Sequence, residues 1–177
     1  MKDVNMVIIK GRIVHKFYTA NEHSCIVTIN DGARNNIKVF VCKQTDLEKI
    51  KNYEVDDFIE IEGNIQSTKR GETKFPPSIF CDQIVDIPAY DMRYKNTFTV
   101  QGTVKRITVI NNECWRIQIA TYVNDHYSLV PVVIYYPDVR LYPQEVGEVI
   151  YVRGMVQSVK KVYDDGNVVH YQNYVVI

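Results

Sequence analysis

The feature that most constrains the fold is an internal repeat with an offset of 91 residues. The stretch "VDDFIEIEGNIQS" begins at Val55, and "VGEVIYVRGMVQS" begins at Val146. The openings of the copies align at the same offset, with "VIIKGRIV" from Val7 against "FTVQGTVK" from Phe98. Two copies of one pattern predict two copies of one folded unit. We therefore expect one domain over residues 1–87, a linker over 88–96 and a second domain over 97–177.

Each copy alternates apolar and polar residues with a period of two, which predicts β-strands. In the first copy Val7, Ile9 and Ile13 share one parity, and "SCIVTIND" and "NIKVFV" follow as further strands. The segment "TDLEKIKNYEV" changes period, and Thr45 followed by Glu48 predicts a capping box at the start of a helix. Two more strands close the copy.

Five strands with a helix between the third and fourth is the order of an OB-fold, a small and partly open barrel. The predicted fold class is therefore all-β, with two tandem five-stranded OB-fold barrels. In the second copy Pro137 and Pro143 interrupt the helical segment, so we expect a loop or single turn there. Gly63 and Gly154 lie inside the fourth strands, where a bend, a bulge or a close backbone approach requires glycine.

Composition and motifs argue against several classes of function. The net charge is zero, so any nucleic-acid site must be a local groove. The four cysteines are isolated, and their spacing predicts no metal site. No phosphate-binding loop, nucleophile elbow or H-E-x-x-H motif is present, so we expect no enzyme and no cofactor. The start has no long apolar run, which predicts a cytoplasmic protein without a membrane span.

The segment "VDDFIEIEGNIQSTKRGETKFPPSIFCDQIVDI" resembles the carboxyl half of the OB domain in the bacterial and phage single-stranded DNA-binding protein (SSB) family. A β-branched strand runs into Gly-x-Ile-Gln-Ser and is followed by a basic hairpin and a final strand. The opening strand "MVIIKGRIV" is similar as well. The chain departs from the family pattern by carrying two OB domains and by ending at "YVVI" instead of an acidic tail.

The resemblance implies a non-enzymatic, largely sequence-independent protein that binds single-stranded DNA in replication or recombination. It also implies four OB-folds per assembly, which a homodimer of this chain would supply. Replication or recombination proteins are the expected partners, although recruitment through a tail is not expected, and a phage or mobile element is the expected source. The residues leave RNA open as a ligand. The alternative is an OB-fold module that binds another protein and no nucleic acid.

Single strands are held by cations that follow the phosphates and by aromatic rings that stack on bases. In OB-folds the ligand face lies over strands two and three, between the loops that join strands one to two and four to five. Basic and aromatic residues recur at those places in both copies. The candidates are Lys16, Phe17, Tyr18, Lys38, Phe40, Lys69, Arg70, Lys74 and Phe75 in the first copy and Lys105, Arg106, Trp115, Arg116, Tyr135, Tyr136, Lys160, Lys161 and Tyr163 in the second.

One candidate has two interpretations. Trp115 shares its parity with Ile117 and Ile119, so it is either a stacking platform or part of the core. Phe40 lies between Lys38 and Cys42 on the non-core parity, which favours stacking.

Overall fold

The computed structural model describes residues 2–67, 69–70, 73–74, 76–138, 140–142 and 145–177, and the side chains of 69–70 and 73–74 are outside that description. The first half contains β1 (Val4–Tyr18), a 3-10 turn (Ala20–Glu22), β2 (Cys25–Asn30), β3 (Asn36–Val41), α1 (Gln44–Ile50), β4 (Phe58–Gln66), β5 (Lys69–Arg70), β6 (Thr73–Lys74) and β7 (Ser78–Val85). The second half contains β8 (Lys95–Asn111), β9 (Cys114–Val123), β10 (His126–Tyr135), β11 (Val149–Val162) and β12 (Val168–Val176).

Each half closes into a five-stranded barrel. In barrel 1 the strands pair in the cyclic order β1-β2-β3-β7-β4, and only β3 and β7 run parallel. In barrel 2 the order is β8-β9-β10-β12-β11, with β10 and β12 parallel. The inward side chains are the alternating Val, Ile and Leu residues, which form the buried core. The predicted fold class is confirmed.

The helix differs in detail from the prediction. Helix α1 begins at Gln44 with Lys43 as the N-cap residue, and no side chain caps it. The predicted capping box is wrong, because Thr45 lies inside the first turn and the Gln44 amide donates to Glu48 Oε1 at 2.8 Å instead. Leu47 and Ile50 are buried against the barrel, as their spacing predicted. No helix in the described ranges is long and apolar enough to cross a membrane.

The glycines inside the strands allow close approach of neighbouring backbone. The register of β4 against β7 shifts between Glu62 and Gly63, which marks a β-bulge. A Cβ atom at Gly63 would lie 2.3 Å from the carbonyl oxygen of Phe80, and one at Gly154 would lie 1.9 Å from that of Val175. These distances are far below van der Waals contact, so the tight curvature of each barrel requires glycine there.

A strand pair joins the two barrels into one continuous sheet. β1 and β8 pair antiparallel from Val4–Gln101 to Lys10–Lys95, so β8 begins inside the segment expected to be a linker. Val7 pairs with Phe98, and the repeat places these two residues at equivalent positions. A local two-fold axis therefore passes between them and relates the barrels.

Two equivalent asparagines fasten this junction. The Asn5 side chain donates to the Ile65 carbonyl at 2.7 Å and accepts from the Ile65 amide at 2.9 Å. The Asn96 side chain makes the same pair of bonds with Val156, at 2.8 Å and 2.9 Å. Both asparagines are thus held rigidly beside the two-fold axis.

Each asparagine also contacts the other barrel. Asn5 Nδ2 donates to Thr121 Oγ1 at 3.3 Å, and Asn96 Nδ2 donates to Asp31 Oδ2 at 2.9 Å. Burial raises the pKa of the Asp31 carboxyl, but hydrogen bonds from Asn35, Asn96 and two backbone amides outweigh this, and the net pKa is lowered. Asp31 therefore stays ionised in the junction.

Candidate nucleic-acid interface

The outward face of barrel 1 carries two rows of side chains that run across its strands. One row crosses β1, β2 and β3 at His15, Thr28 and Lys38. The next row, here called the aromatic row, crosses β1, β2, β3 and β7 at Phe17, Ile26, Phe40 and Phe80. Because alternate residues of each strand fill the core, these side chains all point away from the barrel.

The aromatic row offers ring surface to a ligand. Phe17 is 55% exposed, and Phe40 and Phe80 are half-buried. The rings of Phe40 and Phe80 lie nearly parallel, with centroids 5.4 Å apart and an interplanar angle of 23°. Phe17 and Phe40 were predicted from sequence, and Phe80 was missed although it has the same outward parity between buried Ile79 and Cys81.

The long hairpin of barrel 2, formed by β11 and β12, lies against the free edge of β3. The amide of Asn36 donates to Ser158 Oγ at 3.2 Å, and the amide of Lys38 donates to Gln172 Oε1 at 2.6 Å. The amide of Ser158 donates back to Asn35 Oδ1 at 3.1 Å. In the described part of the chain β7 pairs with β3 at Val39 and Phe40 alone, so the amides of Asn36 and Lys38 have no partner in β7, and the hairpin satisfies them.

Barrel 1 and this hairpin together form a groove, here called the composite groove. One part encloses about 450 Å³ and an adjoining part about 360 Å³; the two parts share Lys38, His170, Tyr171 and Gln172. The remaining lining residues are Thr28, Arg34, Asn36, Phe40, Pro76, Pro77, Ser78, Phe80, Ser158, Val159 and Lys160.

The composite groove is positively charged although the chain is neutral. Arg34, Lys38 and Lys160 line it, and its described lining includes no carboxylate. Among the residues that the structure describes, none of these three cations forms an ion pair. Their charge is therefore available to an anionic ligand, and the rings of the aromatic row lie beside them.

The outward face of barrel 2 is basic in a different way. Arg106, Gln118 and Pro131 form one row across β8, β9 and β10, and Thr108, Arg116 and Val133 form the next. A depression of about 230 Å³ is lined by Arg106, Thr108, Arg116, Gln118 and Pro131, and no carboxylate is among these described residues. Lys105 is the extra residue of a β-bulge beside this face and is exposed.

Trp115 is a core residue, and its prediction as a stacking platform is wrong. It is only 8% exposed and lies on the inward side of β9 with Ile117 and Ile119. Helix α1 covers the equivalent end of barrel 1, whereas no helix is described between β10 and β11, so the Trp115 indole fills that end of barrel 2. A ring buried in this way cannot stack on a base.

Lys16 and Tyr18 are also structural. The Lys16 ammonium donates to the carbonyls of Ile50 at 3.2 Å and of Tyr53, which ties β1 to the end of α1. It lies 5.8 Å from the centroid of the Tyr18 ring. Tyr18 packs against the core, and burial raises the pKa of its hydroxyl. The prediction that these two side chains contact nucleic acid is therefore not supported.

Four of the remaining candidates, Lys161, Tyr163, Tyr135 and Tyr136, lie at the rims of the two faces. Lys161 Nζ is 4.9 Å from the centroid of the Tyr163 ring, at the exposed tip of the β11–β12 hairpin. Tyr135 and Tyr136 are exposed at the end of β10. Phe75 lies outside the described residues, as do the side chains of Lys69, Arg70 and Lys74.

Sequence reasoning missed several groove residues. Arg34 lies in the turn before β3, and Tyr171 and Gln172 lie in β12 of the other barrel. His15, which lies in the row of Lys38, and His170, which lines the groove, were not among the predicted residues either. Outward parity could have identified Phe80, but no local pattern reveals a hairpin that crosses from one repeat to the other.

Comparison with solved structures identifies the fold. A deletion mutant of the single-stranded DNA binding protein from Thermus aquaticus matches with a TM-score of 0.66 and 14% identity, over 99% of this chain and 93% of that chain. The wild-type form of that protein matches with a TM-score of 0.64 and 14% identity, over 100% and 92%. No protein-family model and no curated sequence matches the chain. The chain therefore has an SSB-like OB-fold architecture, as its sequence resemblance predicted.

Proposed function

We propose that this protein binds single-stranded DNA without enzymatic activity and largely without regard to sequence, in replication or recombination. The observation that carries the proposal is the composite groove, in which Arg34, Lys38 and Lys160 adjoin the aromatic row and none of the described lining residues is a carboxylate. The solved proteins with the same fold are single-stranded DNA-binding proteins, which supports it further.

The chemistry of the groove favours a single strand over a duplex. Rings such as Phe40 can stack on a base only when that base is not already stacked and paired within a helix. Every base has a π-face, so stacking discriminates little between sequences. The cations capture the phosphates, and the rings then hold the exposed bases.

A salt-dependent titration tests the proposal. We expect labelled thirty-nucleotide oligo-dT to bind, with log K falling against log[salt] at a slope of about −0.7 per phosphate neutralised. An RNA strand of the same length, titrated in parallel, decides between DNA and RNA. Absence of binding at low salt would overturn the proposal.

A double variant locates the site. Lys38→Ala with Phe40→Ala removes one groove cation and one ring, and should weaken oligo-dT binding while the thermal midpoint shows that the fold persists. The matched control is Lys49→Ala with Tyr90→Ala, which removes a helix lysine and a ring that is 89% exposed, both away from the groove. Equal losses from the two double variants would contradict the assignment.

We further propose a homodimer, which would bring together four OB-folds. Outward side chains of β1, β8 and β11 form a continuous face across the two-fold junction, in rows Val4–Gln101–Tyr151 and Met6–Thr99–Arg153. Tyr151 is 57% exposed and Met6 is 41% exposed. Light scattering should give twice the chain mass, and Tyr151→Glu should reduce it to one chain; a monomeric wild type would contradict this assembly.

The same face, with exposed Tyr151 and Met6, supports the alternative function, a module that binds another protein without binding nucleic acid. The titration with oligo-dT separates the two, because the alternative predicts no binding by the wild type. Under that alternative, the Lys38 and Phe40 double variant has no DNA affinity to lose.

A further inference from the structure

We propose that the two barrels hold one strand in different ways: barrel 1 stacks its bases beside the groove cations, and the outward face of barrel 2 binds its phosphates without stacking. This inference rests on the proposed function and adds to it a chemical role for each face. It follows from a comparison of equivalent rows, which the two β-bulges make possible.

The bulges provide a common reference point in the two barrels. The register of β1 against β2 skips Val14, and that of β8 against β9 skips Lys105, at the repeat offset of 91. Residues counted from each bulge are therefore equivalent. The first residue past the bulge is His15 in barrel 1 and Arg106 in barrel 2, and both begin an outward row.

The second outward row differs completely in chemistry. In barrel 1 it is Phe17, Ile26 and Phe40, followed by Phe80 in β7. In barrel 2 the equivalent row is Thr108, Arg116 and Val133. A row that offers three rings in one barrel offers none in the other and carries a guanidinium instead.

The arginines of barrel 2 suit a phosphate backbone. Arg106 and Arg116 lie on neighbouring strands, one row apart, in a depression with Thr108 and Gln118, and its described lining contains no carboxylate. A guanidinium donates two parallel hydrogen bonds to a phosphate, and the hydroxyl and amide add neutral donors. Among the described residues neither arginine forms an ion pair.

On β8, β9 and β10 the exposed rings lie at the two ends of this face, among the residues that the structure describes. Tyr135 opposes Cys114 beyond the row of Arg116. Tyr122 and Tyr127 oppose each other at the far turn, where the Tyr122 amide donates to the Asp3 carboxylate at 2.8 Å. A carboxylate at that end repels phosphate. The centre of the face, between these two ends, therefore carries Arg106 and Arg116 without a neighbouring exposed ring among the described residues of β8, β9 and β10.

Two double variants and two probes test the division. Phe17→Ala with Phe40→Ala removes rings from barrel 1, and Arg106→Gln with Arg116→Gln removes charge from barrel 2. The probes are a thirty-nucleotide oligo-dT and an abasic deoxyribose-phosphate strand of the same length, each titrated across salt concentrations. Phe17→Ala alone, at a side chain that is 55% exposed, provides a ring variant with little risk to folding.

The expected results differ in kind. The ring variant should lose affinity for oligo-dT by roughly tenfold per ring at every salt concentration, with an unchanged slope and unchanged binding of the abasic strand. The arginine variant should bind both probes more weakly. The magnitude of its salt slope should fall by about 1.4, which is about 0.7 for each of the two phosphates that are no longer neutralised. Lys49→Gln with Lys51→Gln, on and just after α1, is the charge-matched control and should change neither quantity.

Three outcomes would overturn the inference while leaving the proposed function intact. These are an equal loss for the abasic strand in the ring variant, a slope unchanged in the arginine variant, or a selective loss of oligo-dT binding on Tyr135→Ala. If wild type binds neither probe, the proposed function itself fails.

Discussion

At the scale of single residues, equivalent positions in the two barrels exchange large and small side chains. In barrel 1 the large Tyr18 opposes the small Cys25, whereas in barrel 2 the small Val109 opposes the large Trp115. Each pair combines one large and one small side chain, so both barrels fill this position. Protein cores are packed as closely as crystals of small organic molecules, which leaves no room for two large side chains or for a void. Parity left Trp115 open between the core and a stacking platform, and its burial goes with the end of barrel 2 at which the structure describes no helix.

Gly154→Ala should lower the free energy of unfolding by about 1–3 kcal/mol, the usual range for overpacking a core. The new Cβ atom would lie 1.9 Å from the Val175 carbonyl oxygen and 2.6 Å from the Phe98 ring. Urea unfolding of both proteins measures the difference. Gly147→Ala is the comparison, since nothing lies within 4 Å and only its positive φ of 98° is unfavourable. A greater loss at Gly147 would contradict the steric account.

Asp91 should make stability depend on acid pH. Its carboxylate lies 2.9 Å from the ammonium of buried Lys10 and 3.0 Å from Arg93 Nε. Hydrogen bonds from Arg93 and then from Lys10 lower the pKa of the Asp91 carboxyl. The ionised form thus favours folding, fully above about pH 5, and this contribution is lost as the pH falls below the ordinary value of about 3.9 towards the lower folded-state pKa.

The corresponding measurement is the thermal midpoint of Asp91→Asn and wild type from pH 7 to pH 2. The variant should melt lower at pH 7, and the difference should shrink as the solution becomes acidic. Asp86→Asn, at a side chain that is 91% exposed, is the control and should match wild type throughout. A constant difference at all pH values would show that the ion pair is not responsible.

At the scale of elements, the β11–β12 hairpin is part of barrel 2 in the chain but makes its outer contacts with barrel 1. Its strands extend beyond barrel 2, and Ser158 and Gln172 accept hydrogen bonds from amides at the edge of β3. An unpaired strand edge needs such partners or solvent. The hairpin therefore completes the edge of barrel 1 and forms one wall of the composite groove.

Gln172→Ala should loosen this wall. We expect the Lys38 amide to lose protection from hydrogen exchange, and oligo-dT affinity to fall about two- to tenfold, in line with the loss of one hydrogen bond. Gln83→Ala is the control, because Gln83 is exposed, bonds the Glu62 carboxylate within barrel 1 and does not line the groove. An unchanged hydrogen-exchange rate at the Lys38 amide would show that the bond to Gln172 does not hold the hairpin against β3.

At the scale of the whole molecule, the β1–β8 pair turns two barrels into one sheet with a local two-fold axis. The buried Asn5 bonds both its own barrel and Thr121 of the other, and Asn96 bonds Asp31 in the equivalent way. Shared hydrogen bonds and a shared sheet couple the stability of the two halves, so we expect them to unfold together.

The single tryptophan allows this coupling to be measured. Ile29→Ala makes a cavity in the core of barrel 1 and should cost about 2–5 kcal/mol. Trp115 lies in barrel 2, so its fluorescence follows the unfolding of that barrel. In the Ile29→Ala variant, the midpoint from Trp115 fluorescence should fall below its wild-type value by the same amount as the midpoint from circular dichroism. If the Trp115 transition stays at its wild-type position, the barrels unfold independently.

Much of the fold could be predicted from local pattern. The alternation of Ile37, Val39 and Val41 with Lys38 and Phe40 identified both the core and the outward face of β3. The structure contradicted sequence reasoning at Thr45, whose capping box was not formed, and at Lys16, whose ammonium bonds the end of α1. Both outcomes depend on how α1 docks on the barrel, which neighbouring residues in sequence do not specify.

By itself, the sequence determined that the chain forms two barrels of one kind, because hydrophobic alternation and glycine placement act within each strand and recur in each copy. Only the tertiary structure decided that the composite groove is shared between them. The contacts of Asn36 with Ser158 and of Lys38 with Gln172 join residues more than 120 positions apart through backbone amides. Such bonds depend on where strands lie in space, and polar side chains like these show no periodic pattern from which their partners could be inferred.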